Sequence, residues 1–295
     1  MKILVTVTDV AVVDDEFEID GLGVDERYLT YELNEWDDYA VEEAVRIAED
    51  GDSAEQSSAG DQVKPDDDIE VVTVTVGPER SEEAVRKALA KGADRAVRVW
   101  DDAIAERDLL DAETKAALLA AVAREEDPDL ILSGVQSGDD SFAATGVALA
   151  EKLGMEWAAV VNQLELNSEA GRREASGNAS GNAASSDGTA SVHRELEGGV
   201  EELTDVELPA VLTIQTGINE PRYASLRGIR QAQNKPLEVQ TLDDLGLDGG
   251  VLETPLEWTA TYEPESEGEA TVFEGGPDEA AGELAGVLRD KGVGQ

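Results

Sequence analysis

The residues best suited to chemistry lie in the stretch 129–150, DLILSGVQSGDDSFAATGVALA, where small and polar side chains follow a short apolar run. The run 130–132 has strand length, and the pattern over 142–150 is helical. Between them, Gly134 and Gly138 allow the main chain to approach a ligand closely. A strand, a small-residue loop and a helix N-terminus together present backbone N–H groups to an anion. An ordinary connection between a strand and a helix has the same composition, so this stretch alone leaves both interpretations open.

Side chains in and around this loop add polar groups to the backbone donors. Gln136 offers an amide to a base or a ribose, and Ser137, Ser141 and Thr145 offer hydroxyl groups. Asp139 and Ser141 are typical N-cap residues, so we expect them to cap the helix that follows. This set of groups favours an adenine nucleotide over a large apolar ligand.

Residues for covalent or metal-assisted catalysis are scarce. The chain has no cysteine, and its one histidine, His193, lies in a low-complexity segment. No Walker pattern is present, and Thr6-Val7-Thr8-Asp9 stands where a GxGxxG sequence usually follows the first strand. The many carboxylates are explained by solvation. We therefore predict no catalytic residue and no metal site, and a hydrolase is disfavoured.

The charge balance is strongly acidic: 67 Asp and Glu residues against 23 Lys and Arg residues give a formal net charge of −44. Such a charge repels nucleic acid and anionic lipid, which we exclude as partners. Acidic chains are often disordered, but here the acids lie on helices with an apolar face, so we expect a folded protein. The better interpretation is a cytoplasmic protein of a halophile, in which salt screens the self-repulsion. No run approaches the roughly 18 apolar residues of a membrane span, so we expect no membrane insertion.

Strand and helix patterns alternate four times in the first half of the chain. Strands are predicted at 2–8, 69–76, 96–100 and 130–132, and helices at 34–48, 81–90, 109–124 and 142–150, with Asn34 as a helix cap. This alternation predicts an α/β fold with a doubly wound, mainly parallel, Rossmann-like sheet and helices on both faces. The carboxyl ends of such strands meet at one crevice, so we expect Thr6, Val76 and Gly134 to lie together at a ligand site.

The second half departs from this alternation. Strands are predicted at 157–166, 200–208 and 210–216, with the low-complexity segment 167–199 as a stretched β-hairpin tip. We assign residues 1–236 to an α/β nucleotide-binding domain that contains this insertion. Residues 237–295 are strand-poor and acidic and end in a helix at 277–291, so we expect a C-terminal helical arm that packs on a partner subunit.

Six blocks of the chain resemble, in the same order, the β subunit of the electron transfer flavoproteins, Fix-type members included. The blocks are NEWDDYAVEEA (34–44), TVGP (75–78), ALAKGADR (88–95), GVQSGDD with the following TG (134–146), LPAV (208–211) and NEPRYASL (219–226). The last block is the most specific. The resemblance covers nearly the whole chain, and the shared order makes chance a poor explanation.

The resemblance implies a heterodimeric electron carrier rather than an enzyme. In this family an α subunit makes most of the FAD contacts, and the β subunit holds a buried AMP, or a second FAD in electron-bifurcating members that oxidise NADH. The family accepts electrons from acyl-CoA or other dehydrogenases and passes them toward a membrane quinone oxidoreductase. The run SLRGI (225–229) is more similar to Fix-type members. A stress-type nucleotide-binding module, which forms homodimers without flavin on the same fold, stays open as an alternative.

The resemblance also implies a set of site residues. It places nucleotide contacts at Thr6, Asn34, Glu35, Trp36, Asp37, Val76, Gly134, Val135, Gln136, Ser137, Gly138, Asp139, Asp140, Ser141, Phe142, Ala143, Ala144 and Thr145. It places partner recognition at Asn219, Glu220, Pro221, Arg222, Tyr223 and Leu226. Trp36 takes the position of an aromatic residue near the flavin, and Leu226 takes that of a leucine that anchors dehydrogenases.

Simpler structural interpretations of these residues stay open. Trp36 is also explained as a core anchor beside Tyr39, and Leu226 as a packing residue. The segment 221–223 is also explained as a turn in which Arg222 bonds carbonyl groups.

One residue and two short runs depart from the family pattern. Val135 replaces a lysine, which removes one positive group, and the run RQAQNK (230–235) is less basic than its family counterpart. The run TDVAV (8–12) replaces the usual KQVPD, so contacts there are not transferred.

Overall fold

The computed structural model describes residues 1–56, 69–167, 188–263, 272–273 and 275–292, with side chains described outside 51–56. The chain divides into two compact units, Met1–Thr259 and Ala260–Gln295. The strands are β1 (Lys2–Thr6), β2 (Asp9–Val13), β3 (Ile19–Asp20), β4 (Gly23–Val24), β5 (Leu29–Leu33), β6 (Glu70–Val76), β7 (Arg95–Val99), β8 (Leu130–Gly134), β9 (Glu156–Val161), β10 (Gln163–Asn167), β11 (Thr189–Leu196), β12 (Val200–Glu207), β13 (Ala210–Ile214) and β14 (Leu237–Gln240). The α-helices are α1 (Glu35–Gln56), α2 (Glu82–Lys91), α3 (Asp102–Ala105), α4 (Ala112–Glu126), α5 (Thr145–Leu153), α6 (Leu226–Ala232) and α7 (Pro277–Asp290).

Seven strands form the central sheet in the order β14-β7-β6-β1-β8-β13-β9, and every neighbouring pair is parallel. Leucine and β-branched side chains fill β1, β6 and β8, which suits strands that are covered on both faces. Helices α1 and α2 pack on one face, and α4 and α5 pack on the other. This arrangement confirms the predicted α/β fold with a parallel sheet between two helical layers.

The two layers of the core follow from the alternation of side chains along β1. Ile3 and Val5 pack with the apolar residues of α1 and α2, whereas Leu4 packs with those of α4 and α5. All three side chains are fully buried, and each such burial contributes about 1.5–3 kcal/mol. The carboxyl end of β1 therefore rests on a rigid base on both sides of the sheet.

Smaller antiparallel sheets lie outside the central one. β2 pairs with β5, and β3 pairs with β4. The segment between β1 and α1 therefore forms its own antiparallel pairs outside the central sheet. β10, β11 and β12 form a three-stranded antiparallel sheet, as the expected hairpin excursion requires. The prediction of a single strand at 157–166 is wrong. Two strands, β9 and β10, meet at Asn162 and belong to two different sheets.

The low-complexity insertion predicted at 167–199 extends too far toward the C-terminus. Residues Thr189–Leu196 form the middle strand β11, in which Ala190 and Val192 are buried. A strand with only these two buried apolar residues forms there because β10 and β12 pair with both edges of β11. His193 is therefore ordered, and its Nδ1 lies 2.6 Å from the Asn162 side-chain oxygen. Most of the rest of the insertion, residues 168–187, lies outside the described residues.

The domain boundary expected after residue 236 is placed too early. The four residues of β14 pair in parallel with β7 at the edge of the central sheet, and the first compact unit continues to Thr259. The run LEVQ is short and half exposed, so it lacks the apolar pattern of the inner strands. The predicted final helix is present as α7, of which no described residue is buried. Across the described ranges, no helix has both the length and the apolar character needed to cross a bilayer.

Candidate functional site

A pocket opens at the carboxyl ends of β1, β6 and β8, with an empty volume of about 600 Å³ that is partly open to solvent. The chain runs outward from β1 through β6 to β7 and then crosses to β8 on the other side of β1. Such a reversal of direction leaves a crevice between diverging loops, which is where parallel α/β sheets bind ligands. The strand order therefore places the pocket where the alternation of elements predicted it.

Twelve of the expected nucleotide contacts line this pocket: Thr6, Asn34, Asp37, Val76, Gly134, Val135, Gln136, Ser137, Asp140, Ala143, Ala144 and Thr145. Six others lie near it without lining it: Glu35, Trp36, Gly138, Asp139, Ser141 and Phe142. Six lining residues were not expected: Val7, Thr8, Val74, Lys115, Leu119 and Ser133. Four of these six, Val7, Thr8, Val74 and Ser133, lie close in sequence to expected residues. Lys115 and Leu119 come from α4, which no motif indicated.

Asp37 joins the ends of two strands at the base of the pocket. Its carboxylate accepts a hydrogen bond from the Thr8 N–H at 2.9 Å and another from the Gly134 N–H at 3.1 Å. Burial raises the pKa of Asp37 to about 7, against the lowering effect of these hydrogen bonds and of the more distant Lys115 charge. A side chain at position 134 would lie 2.5 Å from the Asp37 carboxylate, so only glycine allows this approach.

Asn34 holds the loop that follows β8. Its amide nitrogen donates to the Gln136 carbonyl at 2.9 Å, and its amide oxygen accepts from the Gly138 N–H at 3.2 Å. The expectation that this side chain caps α1 is therefore wrong, since the amide reaches across to the loop instead. One turn of helix at the start of α1 thus fixes both β8 and the loop after it.

Asp140 organises the rest of the loop. Its Oδ1 accepts from the Ser137 hydroxyl at 2.6 Å and from the Phe142 N–H at 3.2 Å, while its Oδ2 pairs with the Lys115 ammonium. Burial alone would raise the pKa of Asp140, but the Lys115 ion pair and these hydrogen bonds outweigh it and hold the pKa below its usual range. The loop is consequently tied to α4 as well as to α1.

The helix α5 begins later than predicted, at Thr145, with Ala144 as its N-cap residue. Asp139 and Ser141 do not cap it: Asp139 accepts from the Asp140 N–H, and the Ser141 hydroxyl donates to the Ser137 carbonyl. In the described chain, no side chain bonds the first N–H groups of α5. These donors stay available at the pocket edge, where a helix N-terminus favours negative charge.

Trp36 lies beside the pocket rather than in its lining. The indole is half-buried, and its Nε1–H donates to the Gln215 side-chain oxygen at 3.2 Å, just beyond the end of β13. The bond between Trp36 and Gln215 therefore ties the start of α1 to a third strand of the central sheet.

The expected partner-recognition segment divides into an inward and an outward set. The Asn219 amide donates to the Tyr39 carbonyl at 3.0 Å and to the Glu43 carboxylate at 2.9 Å. Arg222 binds Glu42 through both Nε and Nη2 and also reaches Glu49. Arg222 thus bonds carboxylates rather than the carbonyl groups of a simple turn.

The outward set is strongly exposed. Tyr223 is 99% exposed and Leu226 is 78% exposed, and Glu220 also faces solvent, with Pro221 half-buried between the two sets. Large apolar side chains at such exposure are typical of interaction surfaces when they cluster. Ile229, 45% exposed one turn beyond Leu226 on α6, extends the apolar surface.

The short helix α6 is held firmly on α2. Arg86 donates to the carbonyl groups of Ala232 and Lys235 at 2.7 and 2.9 Å. A side chain at position 228 would lie 2.3 Å from the Ala90 carbonyl oxygen, so Gly228 allows the two helices to touch. The exposed residues of α6 are therefore presented on a rigid support.

The fold and the pocket together define a class: an α/β protein of the nucleotide-binding type, with its site at the switch point of a parallel sheet. Residues 21–245 match the family model described as the electron transfer flavoprotein domain. The electron transfer flavoprotein subunit beta of Methylophilus methylotrophus is 43% identical over 295 residues, which cover 98% of each chain.

More distant relatives agree with this match. The mitochondrial electron transfer flavoprotein subunit beta of Oryza sativa subsp. japonica is 35% identical over 252 residues, 84% of this chain and 85% of that protein. The caffeyl-CoA reductase-Etf complex subunit CarD of Acetobacterium woodii is 30% identical over 228 residues, 76% of this chain and 79% of that protein. The chain belongs to the electron transfer flavoprotein family, as a β subunit. Such subunits pair with an α subunit and carry electrons rather than act as enzymes.

Proposed function

We propose that the protein binds AMP in the pocket at the ends of β1, β6 and β8, and that it completes the FAD site of the α subunit. The observation that carries the proposal is the loop clamp: Asn34 and Asp37 hold the loop after β8 open beside the free N–H groups of α5. Aligned backbone donors suit a phosphate, and the polar groups around Gln136 suit a ribose or a base.

The outward set Glu220, Tyr223 and Leu226 is proposed as the docking surface for electron donors. Acyl-CoA dehydrogenases and other dehydrogenases would meet this surface, and the electrons would pass on toward a membrane quinone oxidoreductase. Support comes from the exposure of Leu226 and from the rigid attachment of α6 to α2. Asn219 and Arg222 act in this proposal by positioning the segment against α1.

The C-terminal helix α7 is proposed as an arm that packs on the α subunit. Leu284, Val287 and Leu288 lie at helical spacing and are 37–46% exposed, so they form an apolar stripe without a cover in the described chain. A partner subunit would bury this stripe.

The alternative is an electron-bifurcating, Fix-type subunit in which a second FAD replaces AMP and NADH is the donor. The 30% identity to the Etf-complex subunit CarD is the observation that favours it. A third candidate, a stress-type nucleotide-binding module, would purify as a homodimer without flavin.

One experiment separates these functions. The chain is co-expressed with its α subunit, the complex is purified, and FAD and AMP are released and counted per heterodimer. One FAD with one AMP supports the carrier, and two FAD with no AMP supports bifurcation. A homodimer without flavin would overturn both.

The net charge of −44 supports a further proposal about the setting of the protein. We propose a cytoplasmic protein of a halophile, whose acidic surface needs screening by salt to keep the fold compact.

A further inference from the structure

We infer that Lys115 gives the pocket its preference for a phosphorylated nucleotide over the corresponding nucleoside. The inference rests on the proposed nucleotide site and names the residue that recognises the phosphate charge. Within the described ranges, Lys115 is the one basic residue that lines the pocket. Its side chain is 30% exposed, so it is accessible to a ligand and partly shielded from salt.

The backbone around Lys115 is fixed. Asp111 caps α4 by accepting from the Thr114 N–H at 2.8 Å, and its own carbonyl accepts from the Lys115 N–H at 2.9 Å. Lys115 therefore stands on the first turn of a well-capped helix, and its side chain projects to the pocket from a rigid base. A cation held this way loses little conformational entropy when a ligand arrives.

The Lys115 ammonium has more N–H donors than its described ion pair uses. Its described partner is Oδ2 of Asp140, whose Oδ1 is already engaged by Ser137 and Phe142. An ammonium group has three N–H donors, so Lys115 can keep Asp140 and still donate to a phosphate oxygen. The pair also holds the Lys115 side chain in position before any ligand binds.

The charge balance of the pocket makes this cation necessary. Asp37 and Asp140 are the two carboxylates that line the pocket. The pKa of Asp140 is held below its usual range, so Asp140 is charged and would repel a phosphate, and Asp37 adds to this repulsion only as it ionises around pH 7. The loop residue Val135 carries no charge, so the loop itself supplies only uncharged donors: backbone N–H groups and polar side chains such as Gln136 and Ser137. Lys115 offsets this acidic wall from the opposite element, α4.

The test measures affinity for AMP and for adenosine with the nucleotide-stripped heterodimer, by calorimetry at a fixed salt concentration. Lys115→Met keeps the apolar stem and removes the charge. We expect it to weaken AMP binding about ten- to a hundredfold, the usual range for a charge-assisted hydrogen bond. Adenosine binding should stay unchanged, because adenosine carries no phosphate.

The matched control is Lys152→Met. Lys152 also forms an ion pair that joins α5 to α4, through Glu113 at 2.6 Å, but it does not line the pocket. Both affinities should equal those of the wild type. A loss of AMP binding in this control as large as in Lys115→Met would overturn the inference, because the loss of any ion pair made by α4 would then suffice.

Asp140→Asn supplies a second test that does not depend on the folding of Lys115→Met. The amide keeps an oxygen for Ser137 and Phe142 while the charge next to Lys115 is removed. The ratio of the AMP affinity to the adenosine affinity should rise about three- to tenfold, since the repulsion of the phosphate by Asp140 disappears. An unchanged or lower ratio in Asp140→Asn would overturn the inference.

The outcomes distinguish this inference from the proposed function. If the wild type binds neither AMP nor adenosine, the nucleotide site itself fails, and the inference fails with it. If the wild type prefers AMP and Lys115→Met keeps that preference, only the role of Lys115 is overturned. An equal loss of both ligands in Lys115→Met would likewise overturn that role, because Lys115 would then only support the loop.

Discussion

Asp37 allows the electrostatics of the pocket to be tested through stability. Burial raises its pKa from an ordinary value of 3.8 to about 7. The folded protein therefore keeps a proton that the unfolded chain releases at lower pH. The stability from this proton is complete below pH 3.8 and is lost as the pH rises through about 7.

The two pKa values set the size of the effect. The ratio of the proton-binding factors of the folded and unfolded chains is about 95 at pH 5 and about 1.1 at pH 8. Through Asp37 alone, the free energy of unfolding should therefore fall by about 2.5 kcal/mol between these pH values. Asp37→Asn cannot titrate, so the difference between wild type and variant should shrink by that amount as the pH rises. The amide has one oxygen for the two N–H groups of Thr8 and Gly134, which adds a pH-independent cost of about 1–3 kcal/mol.

The assay is denaturant unfolding of both nucleotide-free proteins at pH 5, 6, 7 and 8, at one high salt concentration. Taking the difference removes the titration of the many surface acids, which the two proteins share. Glu35→Gln is the control, because it removes an exposed carboxylate from the same turn of α1. The control should follow the pH dependence of the wild type. If the wild type and Asp37→Asn gave parallel curves across this range, Asp37 would hold no extra proton and the reasoning from burial would be refuted.

Four further predictions concern the surface and the supports of the site. Leu226→Ala should slow electron transfer from a dehydrogenase to the flavoprotein without changing FAD content, and equal rates in stopped-flow reduction would contradict its role as an anchor. Arg222→Met should lower the free energy of unfolding by about 2 kcal/mol, because the nearly buried Glu42 carboxylate loses its partner. Chemical denaturation measures this change, and Arg227→Met, at an exposed position on α6, is the control. Gly228→Ala should weaken dehydrogenase binding measured by surface plasmon resonance, since the added methyl group meets the Ala90 carbonyl at 2.3 Å and displaces α6; unchanged affinity would show that α6 tolerates the shift. Dilution into low salt should unfold the wild type, as followed by circular dichroism, and a fold that persists at low ionic strength would count against the high-salt interpretation of the charge.

The central fold was predictable because its signals are local. The apolar runs of β1, β6 and β8 and the amphipathic helices between them indicate a parallel sheet without any knowledge of contacts. Among the strands that escaped prediction, β11 and β14 carry few apolar residues. Their pairing depends on neighbours that are distant in sequence, so no local pattern marks them.

The position of the pocket was predictable, whereas the contacts that shape it were only partly predictable. Small residues after β8 indicate where the pocket lies, whereas the bonds of Asn34 depend on the loop at 136–138, about a hundred positions away. Helix-capping rules wrongly assigned Asn34, Asp139 and Ser141 to local helix ends. Asn34 bonds the distant loop after β8, whereas Asp139 and Ser141 bond neighbours within that loop. Lys115 belongs to a helix that carries no motif, so only the three-dimensional structure brings it to the pocket.

The long reach of the bonds at the start of α1 has a consequence for biogenesis. Asn34 and Gln136 are 102 positions apart, and Asp37 and Gly134 are 97 apart. During synthesis, the pocket is therefore incomplete until β8 has left the ribosome and has paired with β1. A ligand of this pocket would bind only chains in which β1 is already paired with β6 and β8, and its binding energy would then oppose global unfolding.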